Sequence, residues 1–163
     1  MLTTLEKLIF VLTVLATLGS GLIAGVFFIF SVAVMRALER VPGGMAAMQS
    51  INLIIINPMF LGVFLGTALL CIVLGVASVF HWEWAGSGWS LAGCLLYLGG
   101  CIGVTMVFNV PMNNALAAAD PARPQGQQVW ANYLRNWTFW NHIRTGASLG
   151  ASAGFVWAAS AAF

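Results

Sequence analysis

The sequence predicts an all-α polytopic membrane protein, a bundle of four transmembrane helices. Four long stretches carry no charged side chain: residues 8–35, 41–82, 84–119 and 145–163. Each can supply the roughly 20 apolar helical residues that cross a hydrocarbon core of about 30 Å. Charged residues make up only 6% of the chain and hydrophobic residues 61%, with a mean hydropathy of +0.95. Soluble domains carry roughly a quarter charged residues, so the composition supports the same class.

The four uncharged stretches place the spans. We predict them at about residues 5–35, 57–80, 88–108 and 137–162. A chain of 163 residues then has short connections and no room for a separate soluble domain, so it forms a single transmembrane domain. Strands are not expected, because no segment alternates apolar and polar residues as a membrane barrel does.

Small residues four positions apart occur in every predicted span. Such faces let helix backbones approach closely in lipid, where no hydrophobic force draws helices together. We therefore predict that these glycines hold the bundle, with some of them available for a homo-oligomer interface. The pattern comprises Gly21 with Gly25, Gly62 with Gly66, Gly99 with Gly103, and Gly146 with Gly150 and Gly154.

The basic residues predict the orientation. Four arginines fall in the predicted loops 36–56 and 109–136, whereas Lys7 is the one basic residue predicted on the opposite side. The positive-inside rule places both loops in the cytoplasm and both termini outside, for a protein of the inner (cytoplasmic) membrane. A net charge of +2 in scattered residues does not indicate nucleic-acid binding. The loop arginines are Arg36, Arg40, Arg123 and Arg135.

The two halves of the chain resemble each other faintly. Residues 21–32 align with residues 99–110, and residues 52–66 align with residues 136–150, mainly at glycine and asparagine positions. An internal duplication of a two-helix unit would explain this, with a pseudo-twofold axis along the membrane normal. Chance matching within a glycine-rich apolar sequence is the alternative, and the sequence does not decide between them.

Polar residues are concentrated at the predicted cytoplasmic ends of the spans. Amide, imidazole and guanidinium groups cost free energy in hydrocarbon unless they face the bundle interior and find partners. We therefore predict that they converge on one cavity, although Asn57 is also explained as a helix N-cap with Pro58 at the first helical position. The group comprises Ser31, Asn52, Asn57, Thr105, Asn109, Asn113, Asn114, Asn136, Asn141, His142, Arg144 and Thr145.

The start of the fourth span predicts an aromatic binding face. Trp137, Trp140, Asn141 and Arg144 have the i, i+3, i+4, i+7 spacing that places residues on one side of a helix. A face of this kind, with a cationic tip, would bind a flat, apolar, oxygenated aromatic small molecule. Alternatively, the tryptophans anchor the helix at the membrane interface and Arg144 reaches the lipid headgroups.

The chain contains four distinctive stretches: FFIFSVAVM at 27–35, AMQSINLIIINPMF at 47–60, NVPMNNALA at 109–117 and WANYLRNWTFWNHIRTGAS at 130–148. They resemble the anthrone-oxygenase-like family of small four-span membrane proteins, most of whose bacterial members have no known function. The resemblance implies the four-span fold. From the characterised branch it implies cofactor-independent insertion of oxygen from O₂ into an anthrone, which gives an anthraquinone.

The implied chemistry assigns roles within the polar cluster. A base can remove the acidic C–H of an anthrone, and the electron-rich anion can reduce O₂ without a metal. His142 is the predicted base, and Arg144 with Asn109, Asn113 or Asn141 is predicted to stabilise the anionic oxygen. His142 lies about 100° around the helix from Asn141, so both reach one cavity only if it is wide or the helix irregular. A histidine bonded to a neighbouring loop or lipid is the alternative.

No metal site is predicted. His81 and His142 lie at opposite ends of the predicted bundle, and neither His-x-x-x-His nor Cys-x-x-Cys spacing occurs. A haem held by His142 alone stays open. Cys71, Cys94 and Cys101 fall within spans, and we expect them to pack as small apolar residues.

A second functional class also stays open. The chain would then be a non-catalytic protein that binds a small molecule or lipid, or an accessory subunit of a larger membrane complex. A proton- or cation-coupled carrier is disfavoured, because no acidic residue is predicted at mid-membrane.

Overall fold

The computed structural model describes residues 3–161, and the regular structure within this range is entirely helical. Five helices follow one another along the chain. They are α1 (Thr4–Arg40), α2 (Gly44–Ile54), α3 (Pro58–Phe80), α4 (Ser87–Ala117) and α5 (Pro124–Ser160). The all-α class is therefore confirmed.

The four long helices form an antiparallel bundle. Helix α1 packs against α3 and α5, and α4 packs against the same two helices from the other side. Asn141 of α5 bonds to Phe27 of α1, and Ser152 bonds to Thr17, so the two helices run in opposite directions. The short helix α2 covers one end of the bundle, where Gln49 Nε2 donates to two carbonyls at the end of α4, at 2.8 and 2.9 Å. We call this the α2 end.

Three helices, α1, α3 and α4, are long and apolar enough to cross a membrane, which makes the chain a membrane protein. Helix α5 is 37 residues long but is not one of these three. Its second half is rich in alanine, glycine and serine, whose hydropathy is low, and it packs between α1 and α4. The four-span count therefore stays a prediction.

The predicted loops contain more helix than the sequence indicates. Helix α1 continues to Arg40 and α2 occupies most of the predicted loop 36–56. Helix α4 continues to Ala117 and α5 begins at Pro124, which reduces the predicted loop 109–136 to residues 118–123. The physical reason is that hydropathy marks only the part of a helix that suits lipid, whereas helical hydrogen bonding extends into the polar flanks.

The predicted start of the second span is correct. Asn57 is the N-cap of α3: its Oδ1 accepts from the Phe60 N–H at 3.0 Å, and Pro58 is the first helical residue. The predicted end of the fourth span, Ala162, lies outside the described residues.

Glycine spacing predicts the helix contacts only in part. A methyl group added at Gly25, Gly62, Gly66, Gly99 or Gly146 would meet no atom within 4 Å. Of the predicted set, Gly154 lies at a close contact, where an added Cβ would be 3.0 Å from the Trp89 carbonyl oxygen. Gly100, outside the pattern, is also at a contact, because its Cβ would overlap that of Ala147. A spacing of four defines a face but does not say which face meets a neighbour.

Three π-helical segments interrupt the long helices. They are Phe30–Val34 in α1, and Leu96–Gly103 and Thr105–Asn109 in α4. In a π turn each N–H bonds to the carbonyl five residues back, so the helix widens and the following side chains rotate. Pro111 follows the third segment after one residue, Val110, and has no N–H to donate to the preceding turn.

The buried residues form two clusters. The larger runs through the middle of the bundle and contains Cys71, Cys94 and Cys101 as free thiols, in agreement with the prediction that they pack in the core. The smaller lies at the α2 end and contains methionines of α1 and α2 together with Tyr133 and Trp137 of α5. The predicted site residues lie around this second cluster.

Candidate functional site

A cavity of about 430 Å³ lies at the α2 end, bounded by all five helices. Its wall is mainly aromatic and aliphatic, with four polar side chains among the lining residues. Volume and lining are typical of a site for a small apolar molecule with a few oriented polar groups. The aromatic residues are Phe27, Phe30, Phe60, Phe64 and Trp137, and the polar ones are Asn52, Thr105, Asn113 and Arg144.

The cavity opens sideways between α3 and α4. Helix α3 packs closely against residues 87–103 of α4 but at most marginally against residues 105–117, so the two helices diverge towards the α2 end. Leu65 of α3 and Met106 of α4 line the cavity and are also 53% and 61% exposed on the outside of the bundle. These apolar side chains frame the opening, which we call the α3–α4 gap.

Arg144 is the one charged side chain among the lining residues and is only 5% exposed. Its Nη2 donates to Asn141 Oδ1 at 2.6 Å and its Nη1 to Thr105 Oγ1 at 3.2 Å. Its Cζ lies 4.1 Å from the ring centroid of Phe27 and 5.1 Å from that of Trp137. Two aromatic faces and two hydrogen bonds thus fix the guanidinium group in the wall.

No carboxylate neutralises Arg144 within the part of the chain that the structure describes. No acidic side chain lines the cavity, and the ion pair between Arg123 and Asp120, 3.3 Å long, lies at the surface. Arg144 Nε and Trp137 Nε1 are also buried without a hydrogen-bond partner. A buried cation without a counterion and buried donors without acceptors both raise the free energy of the folded state. A ligand with an anionic oxygen would lower it.

Asn141 positions Arg144 from behind the wall. The amide is fully buried, and its Nδ2 donates to the Phe27 carbonyl and to Ser31 Oγ, both at 2.6 Å. Asn109 is also buried, and its Nδ2 donates to the Trp137 carbonyl at 3.4 Å. Asn141, Ser31 and Asn109 therefore lie beside the cavity, where they orient its lining residues.

A second polar group lies nearer the α2 end. The Tyr133 hydroxyl donates to Asn113 Oδ1 at 2.8 Å and accepts from Asn52 Nδ2 at 3.2 Å. The Tyr133 ring is buried and stacks between Trp130 and Trp137, with centroid distances of 5.8 and 5.5 Å. We call Asn52, Asn113 and Tyr133 the tyrosine triad.

Two predicted binding residues lie elsewhere. Trp140 stacks on Phe108 of α4 with a centroid distance of 3.6 Å and is not among the cavity-lining residues. Asn57 uses its amide to cap α3, and its Nδ2 donates to the Ile54 carbonyl at 3.0 Å. Neither side chain contributes to the wall.

The structure does not bring His142 together with Arg144. His142 is exposed and lines a separate recess of about 330 Å³ together with Arg36, Glu39 and Arg135. The physical reason is helix geometry, because two positions along a regular α-helix correspond to a rotation of about 200°. The predicted base therefore faces away from the cavity.

The phenylalanines of the wall, such as Phe27, are outside the predicted set, whereas Asn52 and Thr105 belong to the predicted polar cluster. The signal for Thr105 is its position as a polar residue near the end of a predicted span. Phe27 gives none, because the adjacent Phe28 looks identical in sequence but is 53% exposed. No group of three His, Cys, Asp or Glu side chains within residues 3–161 is arranged to hold a metal ion.

The family model for anthrone oxygenase matches residues 59–154, which is more than half of the chain. The chain belongs to the anthrone oxygenase family. The matched region covers α3, α4 and most of α5, and it includes Asn113 and Arg144. Membership supports an oxygenase-like or related membrane protein at the level of the family. No curated protein and no solved structure matches the chain.

Proposed function

We propose that this protein binds a flat, apolar, oxygenated aromatic of the anthrone type in its cavity and oxidises it with O₂, without a cofactor. The observation that carries the proposal is the buried, unneutralised guanidinium of Arg144 in an aromatic wall. Such a site favours a ligand whose aromatic rings pack against the apolar wall and whose oxygen becomes negatively charged beside the guanidinium. Family membership supports the reaction type.

In the proposed reaction, Arg144 stabilises the oxygen of the substrate enolate. The methylene group of the substrate loses a proton to water, and the negative charge is delocalised onto the carbonyl oxygen beside the guanidinium. The anion then reduces O₂ as a new C–O bond forms, and loss of water from the resulting hydroperoxide leaves a second carbonyl group. Overall, CH₂ and O₂ give C=O and H₂O.

The proposal gives His142 no role in proton removal. Its side chain lines a different recess, and no other histidine or carboxylate lines the cavity. Arg144 would promote ionisation by stabilising the anion, because a preorganised donor in a site of low polarity lowers the free energy of charge that develops there. Water entering from the α2 end would accept the proton.

The test is oxygen consumption by the purified protein in detergent with an anthrone as substrate. Arg144→Gln removes the charge but keeps a donor for Asn141, and Arg144→Lys keeps the charge but loses the planar fork. Both should reduce turnover by about 10²-fold or more, the loss typical of removing one oxyanion donor. His142→Gln is the matched control and should retain turnover, and chelators should have no effect.

Two results would contradict the proposal. The first is that the wild-type protein consumes no oxygen with any anthrone tried. Equal rates for the wild type and Arg144→Gln would remove the argument from the guanidinium. If His142→Gln alone loses turnover, the base lies outside the cavity described here.

A second candidate function is binding without catalysis. It is favoured by one observation: the lining residues include no side chain that could take a proton near neutral pH. In this case the protein would bind a hydroxylated aromatic, alone or within a larger membrane complex, and consume no oxygen.

A further inference from the structure

We infer that the tyrosine triad is a second recognition site within the cavity, which selects ligands that carry a hydroxyl group on an outer ring, away from the middle-ring oxygen bound by Arg144. This inference rests on the proposed function, because it assumes a ligand anchored at Arg144 through that oxygen. It adds a rule of specificity: the preferred substrate carries an outer-ring hydroxyl in addition to the middle-ring oxygen.

The triad and Arg144 lie along one face of α5. Tyr133, Trp137 and Arg144 have the spacing i, i+4, i+11, which returns to the same side of a helix. The guanidinium lies 5.1 Å from the Trp137 ring and the Trp137 ring 5.5 Å from that of Tyr133. Two ring contacts of this length match the separation between the middle-ring oxygen of a flat three-ring molecule and a hydroxyl group on one of its outer rings, with the hydrogen bonds at each end.

The hydrogen bonds within the triad leave the Asn52 carbonyl oxygen and the Asn113 amide nitrogen for a ligand. The Tyr133 hydroxyl donates its one proton to Asn113 Oδ1 and accepts from Asn52 Nδ2. Asn52 Oδ1 and Asn113 Nδ2 have no partner among the residues that the structure describes. Both amides line the cavity. A ligand hydroxyl could donate to Asn52 Oδ1 and accept from Asn113 Nδ2 at once, whereas a carbonyl or ether has no proton to donate to Asn52 Oδ1.

Tyr133 acts in this arrangement as a positioning residue. Its hydroxyl holds the two amides, which come from different helices, with their free ends available to the cavity. Without it, each amide could turn over and present the wrong atom, and the cavity would no longer distinguish a hydroxyl group from a methyl group.

The experiment compares two anthraquinones that cannot be oxidised further by the proposed reaction. 2-Hydroxyanthraquinone carries one outer-ring hydroxyl, and 2-methylanthraquinone has nearly the same size with a methyl group in its place. Binding to the purified protein is followed by the quenching of tryptophan fluorescence. Wild-type protein should bind the hydroxy probe about tenfold more tightly, as expected for one or two hydrogen bonds in a buried site.

Tyr133→Phe retains the stacked ring and should bring the affinities for the two probes to about the same value. The matched control is Tyr97→Phe, since Tyr97 is the other tyrosine of the chain and its buried hydroxyl donates to the Phe64 carbonyl, outside the triad. Tyr97→Phe should keep the tenfold preference. A role of Tyr133 in folding alone would weaken both probes equally and leave their ratio unchanged.

The outcomes separate the two proposals. If the wild type binds neither probe, or Arg144→Gln binds both as well as the wild type does, the proposed function fails. If both probes depend on Arg144 but bind with equal affinity, or the ratio survives in Tyr133→Phe, the proposed function stands and the inference about the triad is overturned.

Discussion

Phe27 is the residue on which the guanidinium of Arg144 rests. Its ring lies under the guanidinium at 4.1 Å, and its backbone carbonyl accepts from Asn141, which in turn accepts from Arg144. One residue therefore supports the cation twice, through its ring and through its main chain. Only the ring contribution is lost on substitution, because the carbonyl belongs to the backbone.

Phe27→Leu tests this support, with the neighbouring Phe28→Leu as its control. Phe27 is 5% exposed, whereas Phe28 is 53% exposed on the outside of the bundle. Loss of the aromatic face should weaken hydroxyanthraquinone binding by up to about 30-fold, because a desolvated cation–π contact that holds the guanidinium contributes about 2 kcal/mol. It should also lower the midpoint of thermal unfolding in detergent. Phe28→Leu should change neither, and equal effects of the two substitutions would contradict the assignment.

The sequence predicts the site best where the helix is regular. Trp137, Asn141 and Arg144 are grouped correctly on the bundle-facing side of α5, since uninterrupted α-helical spacing holds there. The same spacing does not distinguish the residues at the edge of a helix face. It therefore also predicts Trp140 on this side, whereas the Trp140 ring stacks on Phe108. His142 was assigned by its chemistry alone, although its position on the helix directs it elsewhere.

At the scale of the helices, the prediction and the structure differ mainly at the π segments. Hydropathy locates α3 almost to the residue, because Asn57 and Pro58 mark its start and no irregularity follows. The π segments of α1 and α4 have no comparable sequence signature, because they differ from an α-helix only in which backbone carbonyl accepts the hydrogen bond of each N–H. They rotate Ser31, Thr105 and Asn109 relative to an ideal helix. Arguments from a 3.6-residue repeat therefore cannot place these side chains.

Gly99 and Gly100 provide a direct test of the packing of α4. A Cβ at Gly100 would overlap that of Ala147 on α5, whereas one at Gly99 would meet no atom within 4 Å. Gly100→Ala should lower the midpoint of thermal unfolding, because the two helices must move apart. Gly99→Ala should leave it unchanged or raise it, since alanine favours helix over glycine by up to about 1 kcal/mol. The reverse order would show that the contact is misassigned.

For the whole molecule, the open question is the membrane topology of α5. Its mean hydropathy is low because it contains many small residues, which let it pack between α1 and α4. A helix surrounded by other helices exposes little surface to lipid, so it can cross a membrane with fewer large apolar side chains. We therefore keep the prediction of four spans with both termini outside. The two-helix duplication also stays a prediction.

Cysteine labelling in intact cells tests this topology. Ala85, Gln125 and Ala161 are exposed, and the three native cysteines are buried, so single substitutions to cysteine report their own positions. A membrane-impermeant maleimide should label Ala85→Cys and Ala161→Cys from outside, and Gln125→Cys only after permeabilisation. Labelling of Gln125→Cys and Ala161→Cys from the same side would mean that α5 does not span the membrane.

Under the proposed function, the α3–α4 gap determines which concentration of substrate the protein responds to. Its rim is apolar and exposed on the outside of the bundle, so we expect a flat aromatic molecule dissolved in the bilayer to enter without first passing through water. Occupancy of the cavity then follows the mole fraction of substrate among the lipids, and the aqueous concentration matters only through partitioning. Adding inert lipid at a fixed total amount of substrate would slow turnover, because the mole fraction of substrate among the lipids falls while its total amount stays the same.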